Sequence, residues 1–532
     1  MSFDVPARGR VSPTASELPL SAPHRKPVRR YLFVAAAGIG TSLLVAIAVS
    51  LAHKSWMGPP LPMPRIGPPF ELGSWHLPLD DVAIALWLSA IAGGVGVGAG
   101  LVAVRRGARP PVRLLVITAI VAVLALMVLP PVGSTDSLDY MAFGRTVVLG
   151  HSPYVMVPWD LVHAHDAVAR SIPWEWGRVT TPYGPAATIE QFIAARLGGT
   201  SAARIVFWLK VANAVAFGLV AYVADQLLRS DPAARLRAHL LWTVNPLLIW
   251  QLIAAAHLDV LAAAAGMLGL VLAGGWPAQA ARRASSQNTL GNVIAGGALI
   301  GLAADVKITF ALFGLGLAWS LRRRPALCAA AGAGMLAVLL PSYAWFGAPA
   351  IRSIANRGDR TTADNFYQLF GRAQHGFLIE HVGVIAAVLV AGTALVVVSH
   401  LPGRAAAQPA IFAALALSMS WLFVWQYQLP SYEAMIICLL ILVPATWLDW
   451  LVLARLTAAT VALDPGNPRP LPSRLLAHIS ADNLRLTVPI ILLGVVVALV
   501  AGCLRERRHE RRSGPPAGIS GDAAQPALGK LT

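Results

Sequence analysis

Apolar runs of about 20 residues, the length a helix needs to cross roughly 30 Å of hydrocarbon, recur along the whole chain. They lie near residues 32–52, 82–104, 113–131, 204–227, 237–255, 258–274, 291–305, 307–320, 325–345, 382–400, 408–425, 430–448 and 486–503. About thirteen such runs cannot all be hidden inside a water-soluble domain. Composition agrees: of 532 residues, 56% are hydrophobic and 13% charged, where soluble domains average about 45–50% and about 25%. A cytosolic enzyme, a disordered scaffold and a secreted disulfide module are excluded. The expected fold is an all-α polytopic membrane protein. Its transmembrane domain covers residues 31–503, between disordered tails at 1–30 and 504–532. The stretch 291–320 holds Asp305 and Lys307, and reads as two short helices meeting at a polar break or as one long helix.

The net charge of +17 does not point to nucleic acid, because the Arg residues sit in short patches between apolar runs, where they set orientation. Arg8, Arg10, Arg25, Lys26, Arg29 and Arg30 lie in a Pro-rich N-terminal stretch without an A-x-A site, which predicts a cytoplasmic tail rather than a signal peptide. Arg105, Arg106, Arg109 and Arg113 then fall on the cytoplasmic side. Alternation puts Arg229/Arg235/Arg237, Arg282/Arg283 and Arg322/Arg323/Arg324 there too. The rule fails only at Arg505–Arg512, which thirteen crossings leave outside. Either 449–463 makes a further crossing or re-entrant turn, or one span is misassigned. Cys328, Cys438 and Cys503 all lie in apolar runs, so neither a disulfide framework nor a zinc cluster is expected.

Two long segments, 132–203 and 346–381, face the outside. The first is acidic and Trp-rich, with amphipathic stretches at 137–149 and 160–171 that predict helices on the membrane surface. A loop of that size usually carries function. Asp136 and Asp139 open it three residues apart, so a helix starting at Ser134 or Thr135 would put them on one face. They serve either as N-terminal helix charges or as a carboxylate base at the membrane boundary. Gly150–Tyr154 and Thr181–Pro185 are Pro/Tyr/Gly turns. His257, Asp259, Asp305 and Lys307 are ionisable groups at membrane depth. They form either a site or an Asp305–Lys307 or Asp259–Lys307 ion pair that fixes helix register. Arg352, Arg357 and Arg360 suit an anionic headgroup or belong to a solvated loop. The aromatic and amide groups of Trp425–Gln428 and Tyr432-Glu433 suit a sugar, or an interfacial aromatic belt. No phosphate-binding loop, dinucleotide fingerprint or zinc-ligand spacing is present in the sequence.

The ordered set Asp136…Tyr140, Gly150-His-Ser-Pro-Tyr154, Pro182-Tyr-Gly-Pro185, Asn245-Pro246, Ala256-His-Leu-Asp259 and Gly301…Lys307 resembles the polyprenol-phosphate-mannose-dependent α-1,6-mannosyltransferases of actinobacteria. These belong to the GT-C glycosyltransferase superfamily, and the resemblance covers roughly residues 30–450. It departs where Leu258 replaces an Asn, and where Ser137 and Leu138 follow the first Asp in place of aromatic residues. The resemblance implies a GT-C type bundle of about 11–13 transmembrane helices in the plasma membrane with an outward-facing active site. It implies Asp136 as catalytic base, with Asp139, Tyr140, Tyr154, Tyr183, His257 and Asp259 around the substrates. Lys307, or one of Arg352, Arg357 and Arg360, would stand near the donor phosphate. The implied donor is polyprenyl-phosphate-mannose, the acceptor a mannan or lipoglycan, and the surroundings membrane lipid. No nucleic acid, cofactor or metal is expected, since a monoester phosphate leaving group does not require one. The competing reading is a transferase for another lipid-linked sugar, or a flippase, although the halves lack the repeat common in transporters.

Overall fold

A computed structural model describes residues 25–52, 61–70, 77–174, 176–274, 289–355, 362, 364–371, 377–400, 408–463 and 471–512. These residues form helices and no strands. In chain order the first seven are α1 (Arg25–Ala52), α2 (Leu79–Arg105), α3 (Val112–Met127), α4 (Asp136–Val148), α5 (Pro158–His163), α6 (Pro185–Gly198) and α7 (Ala202–Leu227). Then follow α8 (Pro232–Ala238), α9 (Pro246–Ile249), α10 (Asp259–Gly274), α11 (Leu290–Val306), α12 (Ala311–Leu321), α13 (Pro325–Phe346) and α14 (Ala348–Ala355). The last are α15 (Gln368–Gly371), α16 (Phe377–His400), α17 (Pro409–Val424), α18 (Glu433–Leu440), α19 (Leu448–Leu463), α20 (Arg474–Asp482) and α21 (Val488–Arg512).

All the apolar runs become helical, but among the described residues only six helices are long and apolar enough to cross a membrane unbroken. A seventh span is bent: Pro232–Ala254 and Asp259–Gly274 meet at 115°. Val112–Met127, Leu290–Val306, Ile308–Leu321, Pro409–Val424 and Pro430–Leu440 are shorter. The physical reason is that several of these helices stop where polar side chains gather. α11 ends at Lys307, and α18 starts at Glu433. Non-helical backbone at membrane depth is tolerated where it lines a protein cavity. Between helices, small residues allow close approach. A Cβ built on Gly96 of α2 would lie 2.7 Å from the Ile39 nitrogen of α1.

α19 resolves the misplaced Arg cluster. Its first turn meets the C-terminal end of α2, where Arg105 bonds Thr446 O at 2.7 Å and Asp449 at 3.3 Å. Beyond its far end, Ser473 N donates to the Asp80 carboxylate at 3.1 Å, at the start of α2. The helix therefore runs antiparallel to α2, and α21 returns to lay Gly502 against Trp447, beside Arg105. Arg505 thus joins the other Arg patches at one end. α1 begins at Arg25 and α21 continues to Arg512, so helix enters both stretches expected as tails. The amphipathic stretch at 137–149 is α4. The one at 160–171 is not a single helix, because a left-handed turn at His165 (φ 54°) separates α5 from a 3-10 turn at Ala169–Ser171.

Candidate active site

Three chain breaks converge on one cavity. After α3, Pro130 and Pro131 end the helix, and the chain turns through Gly133 into α4. Asp136 is the first helical residue, its amide donating to Ser134 Oγ at 3.1 Å. A carboxylate at this position is favoured by the exposed amides of the helix start. Asp139 lies on the same face, and both acids line the cavity, as their spacing requires. The second break, 255–258, carries His257. The third, at Lys307, adopts extended backbone (φ −149°, ψ 116°) between α11 and the next turn.

Lys307 Nζ lies 2.6 Å from Asp259 Oδ1 and 3.3 Å from the centre of the Tyr432 ring. Of the two ion pairs open to Lys307, the fold therefore forms the one with Asp259. His257 Nδ1 donates to Gln251 O at 2.7 Å, and its Nε2 stands 3.4 Å from Asp136 Oδ2. The Tyr140 and Tyr183 hydroxyls are 3.1 Å apart, with the rings edge to face. The cavity between these groups holds about 310 Å³. Beside the Asp136 and Lys307 charges, it is walled by rings that include Trp421, Trp425, Tyr427 and Tyr432. Gly184 holds the loop from α5 to α6 against the end of α11. Its N donates to Val306 O at 3.3 Å, and a Cβ there would overlap the Asp305 carbonyl. That contact sets Tyr183 and Lys307 in the wall of the same cavity.

Burial alone would raise the Asp136 carboxyl, but the imidazole of His257 close by, with Ser134 and Lys307 behind, holds it below the usual carboxylate range. Burial first, then neighbouring phenols and carboxylates, raises Tyr140 and Tyr183, so both stay protonated hydroxyls. The site thus combines an ionised carboxylate, 20% exposed, with a paired ammonium and a set of neutral donors and rings. Among the described residues no His/Cys/Asp/Glu group has the makings of a metal centre.

Not every expected residue reaches the cavity. Asp136, Asp139, Tyr140, Tyr183 and Lys307 line it. His257 and Asp259 stand behind Asp136 and Lys307. Tyr154 is buried one layer back, its hydroxyl donating to Tyr183 O at 3.0 Å and meeting Thr188 Oγ1 at 2.9 Å. Arg352 is exposed on α14, whose next two residues turn toward the site: Ser353 donates to Thr181 O at 2.7 Å, and Ile354 lines the wall. Arg357 and Arg360 lie outside the described residues. Tyr432, from the aromatic–amide stretch that suits a sugar, lines the cavity, and so does Trp421, which the sequence does not single out. The aromatic–amide mixture around them was the available signal. Behind Tyr432, Arg455 bonds Glu433, Gln428 Oε1 (2.5 Å) and Leu422 O (3.0 Å), anchoring the 428–433 segment.

The family described as Alpha-(1->6)-mannopyranosyltransferase, N-terminal domain, matches residues 35–323, more than half of the chain. A probable alpha-(1->6)-mannopyranosyltransferase of Mycolicibacterium smegmatis is 29% identical over 243 residues, 40% of this chain and 42% of its own. Alpha-(1->6)-mannopyranosyltransferase B of Corynebacterium glutamicum is 30% identical over 155 residues, 28% of this chain and 24% of its own. An alpha-(1->6)-mannopyranosyltransferase of Mycobacterium tuberculosis is 28% identical over 151 residues, 28% and 25% of the two chains. The matched region is less than half the length of each of these relatives.

Proposed function

The chain belongs to the alpha-(1->6)-mannopyranosyltransferase family, and from that premise we propose that it transfers mannose from a polyprenyl-phosphate donor to a growing α-1,6-mannan chain of a membrane lipoglycan, with inversion and with Asp136 as base. The observation that carries this reading is that the Asp136 carboxylate and the Lys307 ammonium face the same aromatic-walled cavity. An acceptor hydroxyl attacks the anomeric carbon of mannose while its proton passes to Asp136 Oδ. The bond from that carbon to the phosphate oxygen breaks, and its electrons leave with the phosphate. Lys307, held by Asp259 and Tyr432, stabilises the charge that develops there. The rings of Trp421, Trp425 and Tyr427 offer apolar faces to the C–H side of sugar units.

The site faces the extracytoplasmic side in this reading. α12 leads from beside Lys307 to Arg322, Arg323 and Arg324, so the site and the Arg patches occupy opposite ends of the bundle. Purified protein in lipid, given radiolabelled polyprenyl-phosphate-mannose and a short α-1,6-mannoside, yields a labelled, extended mannoside. Asp136→Asn keeps the folded protein and lowers turnover by about 10²–10⁴-fold. Near-normal product from that variant refutes the assignment. Lipid movement between leaflets without bond cleavage favours a flippase instead.

A further inference from the structure

We propose that Lys210 and Asn213, one turn apart on α7, are positioning residues that set the separation of Asp136 and His257 by gripping the two chain breaks that carry them. The inference rests on the reading of Asp136 as base. Both side chains are almost wholly buried, at 1% and 2% exposure. Neither reaches the cavity, and each bonds only to backbone.

Lys210 Nζ donates to Leu126 O at 3.0 Å and Leu129 O at 2.8 Å. Within α3 the Leu126 carbonyl would accept from the amide of residue 130, but Pro130 has none. The lysine supplies the missing donor at the point where the chain leaves α3 for Asp136. Asn213 uses both hydrogens of its amide, bonding Leu252 O at 2.9 Å and His257 O at 3.0 Å. Between these carbonyls Ala256 sits in the left-handed region (φ 60°), which L residues other than Gly seldom adopt. Asn213 closes the break around that residue. The two breaks are tied to each other by Val132 N donating to Ala254 O at 3.3 Å. α7 is thus a common rest for both strands of the site, and the 3.4 Å approach of His257 to Asp136 depends on it.

The test is steady-state kinetics of the full chain in lipid, with thermal denaturation as a folding control. Asn213→Ala and Lys210→Met should each lower kcat about tenfold or more, with KM for the lipid donor unchanged. The titratable groups around Asp136 are His257, Lys307, Asp139, Tyr140, Tyr183 and Tyr432. Since only His257 is displaced in Asn213→Ala, the acid limb of its pH–rate profile should move to higher pH. Adding Ala256→Gly, which adopts the left-handed turn without cost, should restore part of kcat. A wild-type kcat and pH profile in folded Asn213→Ala overturns the proposal. So does a loss confined to thermal stability, or a failure of Ala256→Gly to restore anything. If Asn213→Ala does not fold, Lys210→Met and its rescue by Lys210→Arg carry the decision. An active Asp136→Asn would sink the reading of the base itself, whatever the α7 variants do.

Discussion

At the scale of single residues, the site is built from groups that restrain one another. His257 keeps Asp136 ionised, and with Nδ1 committed to Gln251 O, only Nε2 is available to Asp136. His257→Gln removes that influence, so the Asp136 carboxyl rises. Asp136 works deprotonated, and activity falls as pH drops through its pKa. The variant should therefore lose activity at a higher pH than the parent. It should also lose about tenfold in kcat at neutral pH, equivalent to about 1.4 kcal/mol of transition-state stabilisation. A pH–rate profile superimposable on the parent's would refute the pairing. Lys307 poses the opposite problem. Lys307→Met leaves the Asp259 carboxylate buried without its cation, which costs about 3–5 kcal/mol. Pairing it with Asp259→Asn should recover most of the thermal stability but none of the activity. Recovery of both would make the pair purely structural. These acids and the lysine were legible in the sequence because an ionisable group at membrane depth needs a reason. Their partners were not, since an Asp259–Lys307 pair and an Asp305–Lys307 pair fit the same residues.

At the scale of elements, the site exists because helices are interrupted. α3 ends at a Pro pair, the bent span opens around Ala256, and α11 gives way at Lys307. Hydropathy locates apolar runs well, and each one became helix. It does not distinguish a run that crosses from one that stops at a polar break, because the break is stabilised by partners on other helices. Lys210 and Asn213 show this: read along α7 they are two polar residues in an apolar stretch, and their meaning lies in carbonyls of α3 and of the 252–257 segment. α19 shows the converse. Asp449 and Arg455 make its stretch look too polar to cross, yet Asp449 is neutralised by Arg237 at 2.5 Å and Arg455 by Glu433. Arg352 was open for a related reason: α14 is amphipathic, and its arginine lies on the exposed side while Ser353 and Ile354 turn inward. The joint between the α5–α6 loop and α11 is testable at Gly184. Its φ of −74° suits any residue, so the requirement is space beside the Asp305 carbonyl. Gly184→Ala should cost about 1–3 kcal/mol of stability. It should also depress kcat by shifting Tyr183 in the cavity wall. An alanine variant as stable and active as the parent would mean that the loop is free to shift.

At the scale of the whole molecule, charge and chemistry are segregated. The buried Arg237–Asp449 pair, with Arg105 beside it, marks one end of the bundle. Arg229 and Arg322 follow helices that lead to that end and Arg505 lies in the part of α21 that reaches it, while Asp136, His257 and Lys307 gather at the other. Dense positive charge tends to hold loops in the cytoplasm, and the sidedness proposed for the site rests on this polarity. α7 gives the sharpest test, because a single unbroken helix connects the turn at Thr200 to the turn at Ser230, and both residues are exposed. Replacing each in turn by Cys, in a background without the half-buried Cys328, allows labelling of intact cells with a membrane-impermeant maleimide. Thr200→Cys should react from outside, and Ser230→Cys only after the membrane is permeabilised. The reverse pattern would put Asp136 in the cytoplasm, where a lipid-borne mannose on the outer leaflet cannot reach it.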